Sequence, residues 1–234
     1  MLKSTDLISK VLSPALRLWL RSQVESVAEL NFSIQGKDRQ ILTGYIPSVS
    51  LNSSRAVYQG LHLGEVEVIG ENIRINIGQI LKGKPLQLLE PIQVTGQVRL
   101  AQADLQASLS SSLLASAFKD LLELILQESS IAASHNLEHW EFNWHGIILQ
   151  PESFILQGIR SDRSGQTIPI AIQANLKLID GQTLGIEPIQ VEGFSDGSQE
   201  WREFSVDLGK DVTIKEFSLV ESQLFCCGRL TIYN

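Results

Sequence analysis

The chain is expected to fold as an α+β protein: an elongated, strongly curved antiparallel sheet wrapped around long helices, in two weakly repeated halves. Three observations predict this. Over most of the sequence apolar and polar residues alternate, as strands with one wet face require. Two stretches, about 5–30 and 105–127, carry apolar residues at helical spacing instead. Finally, Glu90-Pro91-Ile92-Gln93-Val94-Thr95-Gly96 recurs 97 residues later as Glu187-Pro188-Ile189-Gln190-Val191-Glu192-Gly193, which specifies one backbone path twice. Upstream of each copy, Gly83-x-x-Leu86-x-Leu88 aligns with Gly181-x-x-Leu184-x-Ile186. No Gly/Ser/Pro linker or charge block divides the 234 residues, so a single domain over 1–234 is expected.

The first element is helical over 5–30, with a joint at Ser13-Pro14, where serine reads as an N-cap and proline as the first helical position. Leu7, Ile8, Val11 and Leu12 form an amphipathic segment before the joint. After it, Arg17, Arg21, Glu25 and Glu29 mark a solvated face opposite Leu16, Trp19, Leu20, Val27 and Leu30. Lys3, Lys10, Arg17 and Arg21 against Asp6 leave residues 1–21 at +3, while the remainder stands at −10. This basic end is a candidate contact for an anionic membrane.

The first β half spans 31–101. Within it Ile73, Ile75 and Ile77 oppose Asn72, Arg74 and Asn76, and Ile92, Val94, Val98 and Leu100 oppose Gln93, Thr95, Gln97 and Arg99. A long helix over 105–127 follows. From Leu114 to Leu126 nine of thirteen residues are apolar, so their arc covers roughly 200°, twice the stripe that packing on one layer needs. The second β half, 137–234, contains an alternation from Ile168 to Leu178, roughly 36 Å at ~3.3 Å per residue. The helix would measure ~35 Å, so the two can lie side by side.

Composition narrows the function. Hydrophobic residues make up 43% and charged residues 19%, which is apolar for a chain with 6% aromatics. The net charge of −7 argues against a nucleic-acid partner. Cys226 and Cys227 are adjacent in an alternating strand and point to opposite faces, so no disulfide and a reducing compartment are expected. The opening residues lack a secretion-signal core and no run approaches the ~18 apolar residues of a spanning helix. The expected location is cytoplasmic, or peripheral on the inner face of a membrane.

Motifs that suggest chemistry fail on context. Gly193-Phe194-Ser195-Asp196-Gly197 fits a nucleophile elbow, but all four histidines precede Ser195 and no parallel sheet is evident. Gly78-x4-Gly83-Lys84 mimics a phosphate-binding loop, yet Pro85 stands where a magnesium-binding Ser/Thr is needed. His135, His139 and His145 with Glu138 and Glu141 lack orderly ligand spacing. No catalytic residue, metal or cofactor is assigned.

The words Leu12-Ser13-Pro14-Ala15, Arg17-Leu18-Trp19-Leu20-Arg21-Ser22-Gln23-Val24-Glu25, Val57-Tyr58-Gln59-Gly60-Leu61-His62-Leu63 and Ile92-Gln93-Val94-Thr95-Gly96-Gln97-Val98, with Ala103-Asp104-Leu105 after it, resemble the LmeA-like family of phospholipid-binding proteins. The similarity is greatest to its photosynthetic-lineage branch. This resemblance implies a fold like the tubular lipid-binding proteins, with a phospholipid held in an apolar groove.

The residues independently favour a non-enzymatic binder of phospholipid or a similar amphiphile, because the apolar inventory exceeds what two packed layers use. Candidate lining residues are Trp19, Leu20, Ile73, Ile75, Ile92 and Val94 from the first part of the chain. Leu114, Phe118, Leu121, Leu122 and Ile125 are the candidates on the long helix, and Ile170, Ile172 and Leu176 those on the long strand. Candidate membrane contacts are Lys3, Lys10, Arg17 and Arg21. The alternative is a structural or interaction protein whose surplus helix face joins a second copy or a partner subunit.

Overall fold

The computed structural model describes residues 11–127, 140–195, 197–201 and 204–233. In chain order the elements are α1 (Ser13–Ser22), β1 (Ser26–Gln35), α2 (Asp38–Ile41), β2 (Tyr45–Tyr58), β3 (Leu61–Arg74), α3 (Ile77–Ile80), β4 (Ile92–Ala101), α4 (Gln102–Ser108) and α5 (Ser112–Gln127). Then follow β5 (Trp140–Gln150), β6 (Ser153–Asp162), β7 (Thr167–Leu178), β8 (Thr183–Ser195), β9 (Gly197–Trp201), β10 (Phe204–Asp207), β11 (Val212–Val220) and β12 (Gln223–Ile232). Strands take 58% of the described residues and helices 21%, so the molecule is mostly antiparallel sheet.

That corrects the expected architecture: there are two sheets and short helices, not one sheet wrapped around long ones. The N-terminal helix was expected to reach Leu30 but stops at Ser22, and Ser26–Gln35 is a strand. Arg17, Arg21, Glu25 and Glu29 recur every four residues, a spacing that satisfies period two as well as period 3.6. What decides is pairing, since β1 runs against β2 from Ser26↔Val57 to Gln35↔Ser48. The helix expected over 105–127 is broken into α4 and α5. Serines cause the break by bonding backbone groups that a continuous helix would use. Ser111 Oγ accepts from Leu114 N at 3.2 Å, and the Ser108 hydroxyl donates to Asp104 O at 2.7 Å. The expected helical joint is also shifted: Leu12, not Ser13, occupies the cap of α1, with Pro14 in its first turn.

The first sheet has the order β1-β2-β3-β4-β12-β11. In the second, β10-β8-β7-β6-β5 pair in that order and β9 adds to β8. Each repeated Glu-Pro stretch supplies an inner strand of one sheet, β4 or β8. The two halves are nevertheless not sequential units. β12 pairs with β4 over its full length, from Gln223↔Ala101 to Ile232↔Ile92, so the C-terminal hairpin completes the first sheet.

Among the described residues there are two apolar cores. Leu122 and Ile125 of α5 pack with Ile147, Leu156, Ile172 and Ile189 of the second sheet. The other core joins Leu12 and Leu16 to Ile46, Ile73, Ile75, Ile92 and Val94 of the first sheet. On β4 one face serves both: Ile92 and Val94 belong to the second of these cores, Val98 and Leu100 to the first, with Gly96 between them.

Candidate lipid cavity

Under α1, against the first sheet, lies a cavity of about 630 Å³. Leu16, Trp19 and Leu20 form its roof. Its floor comes from β2, β3, β4 and β12, and Leu86 and Leu88 of the β3–β4 connection wall it at one end. Two breaks in strand phase shape the floor. Arg55 adopts φ 50° and Asn72 φ 55°, both left-handed. At each the side-chain alternation slips by one residue while the pairing register is kept, so Ser53 and Ala56 on β2, and Gly70 and Ile73 on β3, face the same space. Asn72 suits this conformation, and its Oδ1 accepts from the Tyr45 hydroxyl at 2.7 Å.

Among the described residues the lining carries no charged side chain. Its polar groups are Gln23, Ser53, Thr231 and the hydroxyls of Tyr58 and Tyr233. The Tyr233 hydroxyl donates to Asp211 Oδ1 at 2.7 Å, and this bond raises its pKa above the ordinary phenol value. A surface of this kind accepts hydrocarbon and offers nothing to neutralise a phosphate inside it.

Of the candidate lining residues, the fold brings six to this cavity: Trp19, Leu20, Ile73, Ile75, Ile92 and Val94. The other eight do not reach it. Leu122, Ile125, Ile170 and Ile172 are buried in the core of the second sheet, with Phe118, Leu121 and Leu176 half-buried against it. Leu114 is half-buried on α5. Sequence reasoning missed Val24, Val27 and Leu30, read as helix, and Leu230 and Ile232 of β12. The last two pair directly with Val94 and Ile92 of β4, but that partnership is not written locally.

Among the candidate membrane contacts, Arg17 and Arg21 are exposed on α1, and the Arg17 guanidinium stands 5.2 Å over the Phe32 ring. Lys3 and Lys10 lie outside the described residues, as do His135, Glu138 and His139. Among the described residues no cluster of His, Cys, Asp or Glu could hold a metal ion. No helix of the described residues is long and apolar enough to cross a membrane. Both cysteines are free, and burial, with Cys227 beside it, pushes the Cys226 thiol up.

The motif contexts are also resolved. Ser195 ends β8 and Gly197 opens β9, a strand-to-strand connection without the helix a nucleophile elbow needs. Gly83, at φ 78°, closes a turn after α3, and the next regular element is β4, so no helix N-terminus faces Lys84.

The sequence pattern of the family described as LmeA-like phospholipid-binding matches residues 4–229. No curated protein and no solved structure matches the chain. A match over nearly the whole length, on a scaffold with an uncharged apolar cavity, leads to one conclusion: the chain belongs to the LmeA-like phospholipid-binding family.

Proposed function

We propose that this protein binds a phospholipid by burying an acyl chain beneath α1, leaving the headgroup outside, and that it does so without catalysis, at or near a membrane surface. One observation carries the reading: a 630 Å³ cavity lined, among the described residues, by no charged side chain. A methylene fills about the volume of a water molecule, ~30 Å³, so the space suits on the order of twenty carbons. That is room for one long chain. At ~0.8 kcal/mol per buried methylene, a sixteen-carbon chain gains on the order of 12 kcal/mol, and no polar anchor is required. Headgroup selectivity is then weak. Lys3, Lys10, Arg17 and Arg21 are proposed to add attraction to anionic lipid at ~1 kcal/mol each where they approach the surface.

The alternative, self-association through the long helix, has less support. Among its described side chains α5 leaves Leu113 and Leu124 exposed, while Leu122 and Ile125 are consumed by the protein's own core.

Val68 is half-buried on the cavity floor, so Val68→Trp fills volume without adding charge. Uptake of a fluorescent acyl-labelled phospholipid should fall roughly tenfold, with the melting temperature little changed. Unaltered uptake by this variant would remove the cavity from the account.

A further inference from the structure

The connections at one end of the first sheet share a feature the cavity does not use. β1 ends there at Gln35, β2 starts at Tyr45, β3 ends at Arg74 and β4 starts at Ile92. In the two segments that cross this end, an inward apolar residue is followed three times by an outward leucine. Ile41, Ile80 and Leu88 are buried, whereas Leu42, Leu81 and Leu89 are 56%, 51% and 61% exposed. A single exposed leucine is ordinary, but three on adjoining turns are not.

These turns are firmly held. Ile75 N donates to Gly44 O at 2.9 Å, which joins the two segments. The buried Asn76 side chain donates to Pro85 O at 3.0 Å and accepts from Gln87 N at 2.9 Å. Leu89 N donates to Arg74 O at 2.9 Å. The leucines are therefore presented by a fixed backbone.

Charge indicates what they meet. Lys37, Arg39, Lys82 and Lys84 against Asp38 and Glu90 leave these segments at +2 in a chain of −7. Position indicates the same, since Leu86 and Leu88 wall the cavity and Leu89 is the next residue, facing out. We infer that this end is a docking surface for an anionic lipid bilayer: Leu42, Leu81 and Leu89 enter the interface, the lysines and arginine meet lipid phosphates, and the cavity is thereby set against the membrane. Acyl-chain binding in the cavity is the reading on which this last step rests. Docking itself does not depend on it.

The test is co-flotation of the full chain with phosphatidylcholine vesicles, with and without phosphatidylglycerol. The wild type should float with phosphatidylglycerol vesicles and less as salt rises. Replacing Leu42, Leu81 and Leu89 together by Ser should lower partitioning at least ~10-fold. Lys82→Gln with Lys84→Gln should lower it roughly tenfold at low salt and little at high salt. Val220→Ser, an exposed site at the opposite end of the sheet, should change nothing. Flotation of the triple-serine variant at the wild-type level would overturn the inference, as would an equal loss in Val220→Ser. A concentration-dependent dimer abolished by the triple substitution, with no flotation of the wild type, would overturn it in favour of a second copy. Lipid co-purifying with the protein reports separately: a wild type that floats but carries no lipid would remove the cavity reading and leave the docking end standing.

Discussion

Gln106 shows how much one side chain does in this fold. Its Nε2 donates to His145 O at 2.7 Å and its Oε1 accepts from Ile147 N at 3.0 Å, so one amide engages the edge of β5 as a neighbouring strand would. Gln102 repeats the arrangement one turn earlier, accepting from Leu149 N at 2.9 Å. An open edge invites pairing with other chains, and these glutamines close it from α4, which itself packs on β3 and β4. Gln106→Ala should therefore cost roughly 1–3 kcal/mol in urea unfolding and speed hydrogen exchange at the Ile147 amide. Unchanged exchange there would show that water replaces the side chain without loss. The sequence hides this role, because both glutamines sit where a helix would show a solvated face. Arg55 and Asn72 are hidden too: neither is glycine, and only the backbone reveals that each takes a left-handed conformation.

At the scale of elements, alternation is legible wherever a strand has one wet face, as in β7, where Ile170, Ile172 and Ala174 are buried and Gln173 and Asn175 exposed. The helices are less legible. A four-residue recurrence cannot separate α1 from β1, and the apolar arc of residues 114–126 conceals the serine break before it. Part of that arc is explained: Leu122 and Ile125 are fully buried, with Phe118 and Leu121 packed beside them against the second sheet, while Leu124 stays exposed. The Phe118 and Trp144 rings meet edge-on at 5.8 Å between centroids. Leu122→Ala should thus lower stability by roughly 2–5 kcal/mol and leave the lipid bound per folded protein unchanged. Loss of lipid at full stability would instead place the ligand under α5.

For the whole molecule, the family and the antiparallel character are legible from the chain, and the division into two sheets is not. Strand pairing is non-local: nothing around Leu230 or Ile232 announces that they return to Val94 and Ile92 to floor the cavity. The repeated Glu-Pro words mark one inner strand in each sheet, yet only the first sheet, roofed by α1, encloses the space described here. The central claim is that this space holds one acyl chain of a phospholipid. Native mass spectrometry of the purified protein, before and after exposure to phosphatidylglycerol vesicles, tests it most directly. The account predicts a mass increment of a single phospholipid per chain, lost on organic extraction and reduced in Val68→Trp. A protein that stays at its bare mass after that exposure, while remaining folded, would contradict it.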